Sequence, residues 1–197
     1  MSGVGEILSG FDFREPNERF FGVYAAVVRE VLDKENKGRV RVACAAISAD
    51  YLSDWIQVIQ ADAGSGYGAY FIPEAGDQVI IAFLNGSPRS PIVLGSIYSA
   101  KHLPVMARSD KSVPRYFATP GGHMIVMEDK TGKRIEIVDA TGSNSVLIDS
   151  DKNKITVKAS ADVEISAGAN LKLSASGSIT ISASGSVDVS GKTINLN

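Results

Sequence analysis

The chain reads as all-β in two parts, and three observations carry that reading. Five runs rich in β-branched and aromatic residues fill the first 100 residues, separated by Gly, Pro, Asn or Asp. Every Phe, Tyr and Trp lies at or before Phe117 and every proline at or before Pro120, so the last 77 residues contain neither. From Ile155 onward that tail repeats with a period of eight residues.

The runs FFGVYAAVVREVL, GRVRVACA, WIQVIQ, GDQVIIAF and SPIVLGSIY predict five strands, which fit a Greek-key barrel of the OB type over 21–100. Glu35, Asn36, Lys37 and Gly38 supply the turn between the first two strands, and Asn85, Gly86, Ser87 and Pro88 that between the last two. Residues 49–53 and 61–68 are expected to be loops. Gly64, Gly66 and Gly68 do not form a GxGxxG and precede no helical pattern, so a phosphate cradle is not expected. Trp55, at the head of an alternating run, is expected to be a partly buried core residue.

Residues 101–120 carry Pro104, Pro114 and Pro120, each fixing φ and lacking a donor. The stretch therefore reads as an extended linker rather than a strand or helix. Beyond it, 121–197 offers only aliphatic side chains and Ala in a matrix of small and polar residues, with methionine at its start.

The octads ITVKASAD, VEISAGAN, LKLSASGS, ITISASGS and VDVSGKTI keep one register. Ile155, Val163, Leu171, Ile179 and Val187 share the first phase, and Val157, Ile165, Leu173, Ile181 and Val189 the phase two residues later. Ala159, Ala167, Ala175, Ala183 and Gly191 follow in the next, so period-two alternation puts all three phases on one face. Thr156, Glu164, Lys172, Thr180 and Asp188 are expected to face water, and the small residues closing each octad permit a corner.

A strand so short and so thinly apolar is not stable alone. Five octads give a single-chain solenoid fewer than two turns and leave most edges open. Winding three chains into a triangular prism pairs each strand with its neighbours' strands and gathers the apolar positions on one axis. An intertwined triple-stranded β-helix is therefore the expected fold of 121–197, with eight or nine strands making a rod of roughly 40 Å at about 4.8 Å per strand.

Charge and composition exclude several classes. Twenty Lys and Arg against 22 Asp and Glu give a net charge of −2, without the basic excess of a non-specific nucleic-acid binder. Cys44 is the single cysteine and His102 and His123 the only histidines, so no structural metal and no cofactor is expected. No catalytic residues stand out. His123 has no partner at motif spacing and is expected to be structural, while Glu128 and Asp129 alternate across a strand and read as a solvated turn. The start lacks a basic leader followed by an apolar run, and no run of about 18 apolar residues appears, so assembly in the cytoplasm is expected.

Several segments carry a resemblance: GRVRV at 38–42, WIQV at 55–58, FIPEAGDQVIIAFLNGSPRSPIVLGSIY at 71–98 and GGHMIVMEDKTGKRIEIVD at 121–139. Together they resemble the spike family of contractile injection machines, which includes phage baseplate assembly protein V and the VgrG-type proteins. The paired patterns PxxGDxVxxxFxxGxPxxPIVxGxxY and GHxIxxED are specific in combination, and the resemblance spans about 160 residues.

The resemblance implies an OB barrel followed by a trimeric β-helical needle. It also implies a non-enzymatic role at the centre of a baseplate, docked to a hub protein and driven through the target envelope, with transient membrane contact. Longer members carry a hub-like region and effector domains, so a separate hub is expected here. The arm 1–20 with the adjoining Phe21, where Phe11, Phe13, Phe20 and Phe21 interleave with charged residues, is the expected hub contact. At the other end the final octad slips, placing Ile194 and Leu196 seven residues after Val187 and Val189. The blunt terminus Thr193, Ile194, Asn195, Leu196 and Asn197 is expected to seat a conical tip protein of the PAAR-repeat class. Competing readings are an OB-type nucleic-acid binder, which needs a basic groove with exposed aromatics, and a cell-wall-degrading tail component, which needs an acid–base pair in a domain of its own.

Overall fold

The computed structural model describes residues 19–195, and the chain divides into two units between Ser109 and Asp110. In the first unit, β1 (Val23–Glu30), β2 (Arg39–Ala43), β3 (Ile56–Gln57), β6 (Gln78–Phe83) and β7 (Pro91–Ile97) form an antiparallel sheet in the order β3-β2-β1-β6-β7. A short ribbon, β4 (Ala63–Gly64) with β5 (Tyr67–Gly68), sits between β3 and β6 in the chain. The sheet curls until its two ends meet, where Val58 bridges Val93 in parallel and Ile59 N–H donates to the Val93 carbonyl at 2.9 Å. Three strands in sequence, with the last two returning on the far side of β1, are the Greek-key order of an OB barrel.

Alternation fills the interior. Val40 and Val42 of β2, Val79 and Ile81 of β6, Val28 of β1 and Val93 of β7 are fully buried, with Cys44 beside them. Each buried aliphatic of this size contributes about 1.5–3 kcal/mol. Phe20, Tyr24 and Phe83 close the cluster with ring centroids 5.5–6.0 Å apart.

The turns follow from their residues. Asn36, at φ 54°, and Gly38, at φ 66°, take left-handed conformations between β1 and β2. Asp33 fastens that turn by accepting from Glu35 N–H, Lys37 N–H and the Arg39 guanidinium, which holds its carboxyl far below the usual range. Only β3 is much shorter than the run WIQVIQ suggested. It pairs with β2 through Ile56 and Gln57 and passes to β7 at Val58, so neither partner holds it for long. Trp55 is half-buried just ahead of β3.

The second unit is a meander, β8 (Pro114–Ala118), β9 (Met124–Glu128), β10 (Arg134–Val138), β11 (Ser145–Asp149) and β12 (Lys154–Lys158), paired antiparallel in chain order. Two expectations are corrected here. The first is the linker 101–120, which ends in a strand: Pro114 occupies the first position of β8 at the edge of the sheet, where proline is tolerated, and Tyr116 pairs with Val126 and Phe117 with Ile125. The second concerns the start of the needle segment, which was expected to pair only with neighbouring chains. Through Lys158 its strands pair within the chain, because the segments 129–133, 139–144 and 150–153 are long enough to turn it back on itself. Gly132 and Gly142, at φ 66° and 69°, and Asn153, at φ 50°, supply the left-handed positions those turns need. Among the described residues, 159–195 contain no strand paired within the chain.

Candidate assembly surface

Alternation along β9–β12 sorts the sheet into two unlike faces. On one, Ile125 pairs with Ile137, Ile137 with Val146 and Val146 with Val157. One step along the strands, Met127 pairs with Ile135, Ile135 with Ile148 and Ile148 with Ile155. These are two uninterrupted apolar ladders, side by side. Such cross-strand pairs stabilise a sheet by about 0.2–1 kcal/mol each. Apart from half-buried Met127, their side chains remain 40–68% exposed in a single chain.

The opposite face carries Val126, Glu128, Arg134, Glu136, Leu147, Asp149 and Thr156, buried or half-buried. Its charges are internally paired, with Arg134 Nε 3.0 Å from Glu136 Oε2. Thr156 was expected to face water and Ile155 and Val157 to be covered; within one chain the order is reversed, because nothing among the described residues covers the ladder face.

Ile155 and Val157 end the two ladders and open the two octad phases. Val163, Ile165, Leu171, Leu173, Ile179, Ile181, Val187 and Val189 continue those phases and are 51–71% exposed in the single chain. At the end of the described residues Thr193, Ile194 and Asn195 are exposed; Leu196 and Asn197 lie outside the described residues.

At the other end of the chain, Phe11 and Phe13 also lie outside the described residues. Phe20 is half-buried against Tyr24 and Phe83 and so belongs to the barrel interior, whereas Phe21 is exposed.

Polar side chains fix the edge of the second sheet. Glu128 is buried rather than solvated, correcting the turn reading. Its carboxylate accepts from Ser112 Oγ at 2.5 Å, Val113 N–H at 2.9 Å and Lys130 N–H at 3.0 Å. These donors, the serine foremost, hold its pKa down at about 2 against the opposing effect of desolvation. Asp129, just past the end of β9, is exposed and pairs with Arg115. His123 lies in the β8–β9 turn, donating its N–H to Thr119 Oγ1 and accepting Ala140 N–H on Nδ1 at 3.2 Å. It ties that turn to the turn between β10 and β11. Among the described residues no group of three or more His, Cys, Asp or Glu could hold a metal ion, and no helix is long and apolar enough to cross a membrane.

Residues 24–98 match the family described as the type VI secretion system/phage-baseplate injector OB domain. The type VI secretion system spike protein VgrG4b of Pseudomonas aeruginosa is 33% identical over 139 residues, covering 64% of this chain and 17% of that protein. The spike protein VgrG3 of Vibrio cholerae is 32% identical over 130 residues, covering 61% of this chain and 13% of its own length. The actin cross-linking toxin VgrG1 of Vibrio cholerae is 33% identical over 105 residues, 51% of this chain and 10% of the toxin. The chain thus spans less than a fifth of the length of these curated relatives. Through its match to the injector OB domain and the similarity that extends beyond it, the chain is similar to the VgrG-type spikes of contractile injection systems.

Proposed function

We propose that the chain is a non-enzymatic structural spike that trimerises into a rigid needle at the centre of a contractile baseplate. The observation that carries this reading is the pair of apolar ladders on β9–β12, bare in one chain and continued in phase by the octads. Isolated soluble chains rarely expose a contiguous apolar face of this kind. Three such sheets facing one axis bury their ladders together, each chain forming one side of the upper prism. Below Lys158 the turn segments give way to octads, and the strands pass from chain to chain, so each backbone finds its partners in its neighbours.

That architecture suits a piercing part. Ladder hydrogen bonds directed along the rod share an axial load, and winding prevents one chain from unfolding alone. In this reading the arm 1–20, with Phe11 and Phe13, and the adjoining exposed Phe21 meet a hub protein, and Thr193–Asn197 seat a PAAR-type tip protein. Membrane contact is transient and mechanical, no cofactor takes part, and the barrel engages no nucleic acid. Sedimentation equilibrium or native mass measurement tests the core of the proposal. A species of three chains is expected, and a monomer at micromolar concentration overturns it.

A further inference from the structure

The excursion from β3 to β6 has a fixed shape. Gln60 closes its base in both directions, accepting Phe71 N–H at 2.9 Å and donating Nε2 to the Phe71 carbonyl at 3.3 Å. Ala69 N–H donates to the Asp62 carbonyl at 2.9 Å, and Gly66, at φ 81°, turns the β4–β5 ribbon. Between this ribbon and the outer side of β3 and β7 lies a groove of about 700 Å³, with Gln57, Ile59 and Ile92 on one side and Tyr67 and Tyr70 on the other.

Both tyrosines are seated on glycine. A Cβ on Gly64 would lie 2.2 Å from Tyr67 Cζ, and one on Gly38 3.0 Å from Tyr70 Cε2. Each ring therefore rests where a side chain would otherwise stand, held against backbone. Even so, Tyr67 is 70% and Tyr70 75% exposed. Rings held in place and open to solvent offer contact area at little entropic cost on binding.

The chemistry of the groove selects among ligands. Lys37 is the one charged side chain lining it, and its ammonium lies 2.6 Å from Glu35 Oε2. A phosphodiester chain would find no unpaired cation there. The Gln57 amide and both tyrosine hydroxyls have no hydrogen-bond partner among the described residues, so a purely apolar ligand would leave them unmet. A pyranose chain presents apolar C–H faces to the rings and hydroxyls to these groups.

We propose that this groove binds a neutral, ring-built oligosaccharide, with Tyr67 and Tyr70 as stacking platforms and Gln57 as a hydroxyl-reading amide. Every residue involved lies in the barrel unit, so the site stands apart from the needle reading.

Isothermal titration of the full chain with hexa-N-acetylchitohexaose and with cellohexaose tests it, with poly-dT as the anionic comparison. Saturable binding to at least one saccharide, unchanged between low and physiological salt, is expected. Tyr67→Ala and Tyr70→Ala each weaken it about tenfold. Gly64→Ala, which displaces the Tyr67 ring, weakens it similarly, while Tyr98→Ala outside the groove leaves it intact. Sedimentation of every variant confirms unchanged assembly, so a lost site is distinguished from a lost oligomer. The proposal is overturned by the absence of saturable heat with either saccharide, by saccharide binding that the tyrosine variants do not weaken, or by a preference for poly-dT that falls steeply with salt.

Discussion

Asn144 takes the place of a strand for Ser160: its Oδ1 accepts the Ser160 backbone N–H at 2.9 Å and the Ser160 hydroxyl at 3.2 Å. The last pair between β11 and β12 is Ser145 with Lys158, so the ladder gives way to a side chain just where the octads leave the sheet. Asn144 is itself held by Asp139, which accepts Nδ2 at 2.8 Å and the Asn144 N–H at 3.2 Å. Asn144→Ala is expected to destabilise the second unit by about 1 kcal/mol and to speed amide exchange at Ser160. Asn144→Asp keeps the acceptor but sets a second carboxylate against Asp139, and is expected to cost at least as much in thermal unfolding.

The buried carboxylate of Glu128 predicts an acid response. Its folded pKa of about 2 lies below the ordinary glutamate value of 4.5, so the stability it provides is complete above that ordinary value and is lost as pH falls toward 2. Asp139 and Asp149 are also lowered, so wild-type melts alone do not isolate Glu128. Glu128→Gln does: the variant is expected to melt below wild type at pH 7 and to converge on it as the solution is acidified toward 2. A constant difference across that range would show that the charge of Glu128 contributes nothing.

How far the sequence could be read depended on whether partners lay close along the chain. Val40 and Val42, or Val79 and Ile81, alternate cleanly because each strand has one wet and one dry side, and both pairs are buried as alternation implies. The hand-over of β3 from β2 to β7 at Val58 is a tertiary event with no local signal. Pro114 concealed β8, since proline marks a linker as readily as the first position of an edge strand. The octad phases were visible, yet the self-pairing of β9–β12 was not, because it depends on turn lengths weighed against chain-to-chain pairing. The seating of Tyr67 on Gly64 across the β4–β5 ribbon was equally invisible, as spacing alone does not say which way a ring folds.

The barrel should fail through its interior. Ile81 is fully buried in one core cluster with Val28, Val79 and Val93, and close-packed interiors relax only partly around a deleted side chain. Ile81→Ala is expected to cost about 2–5 kcal/mol and Ile81→Val about 0.5–1.5 kcal/mol in denaturant unfolding of the barrel. A smaller loss for the alanine variant would mean that the core is looser than its packing implies.

The ladder face separates folding from assembly. Ile137 stands between Ile125 and Val146 in the middle of one ladder, and Ile148 between Ile135 and Ile155 in the other. Both are at least 41% exposed in the single chain, so replacing either with Asp removes little burial from the folded monomer. In a threefold assembly the same change removes an aliphatic contribution of about 1.5–3 kcal/mol per chain and brings three carboxylates toward one desolvated axis. Ile137→Asp and Ile148→Asp are therefore expected to keep their β-sheet circular dichroism while sedimenting as single chains. Glu136→Gln, on the opposite face next to Ile137, should leave assembly unchanged. If the aspartate variants still sediment as three chains, the ladders do not form the shared interior, and the needle must be held together by the octads alone.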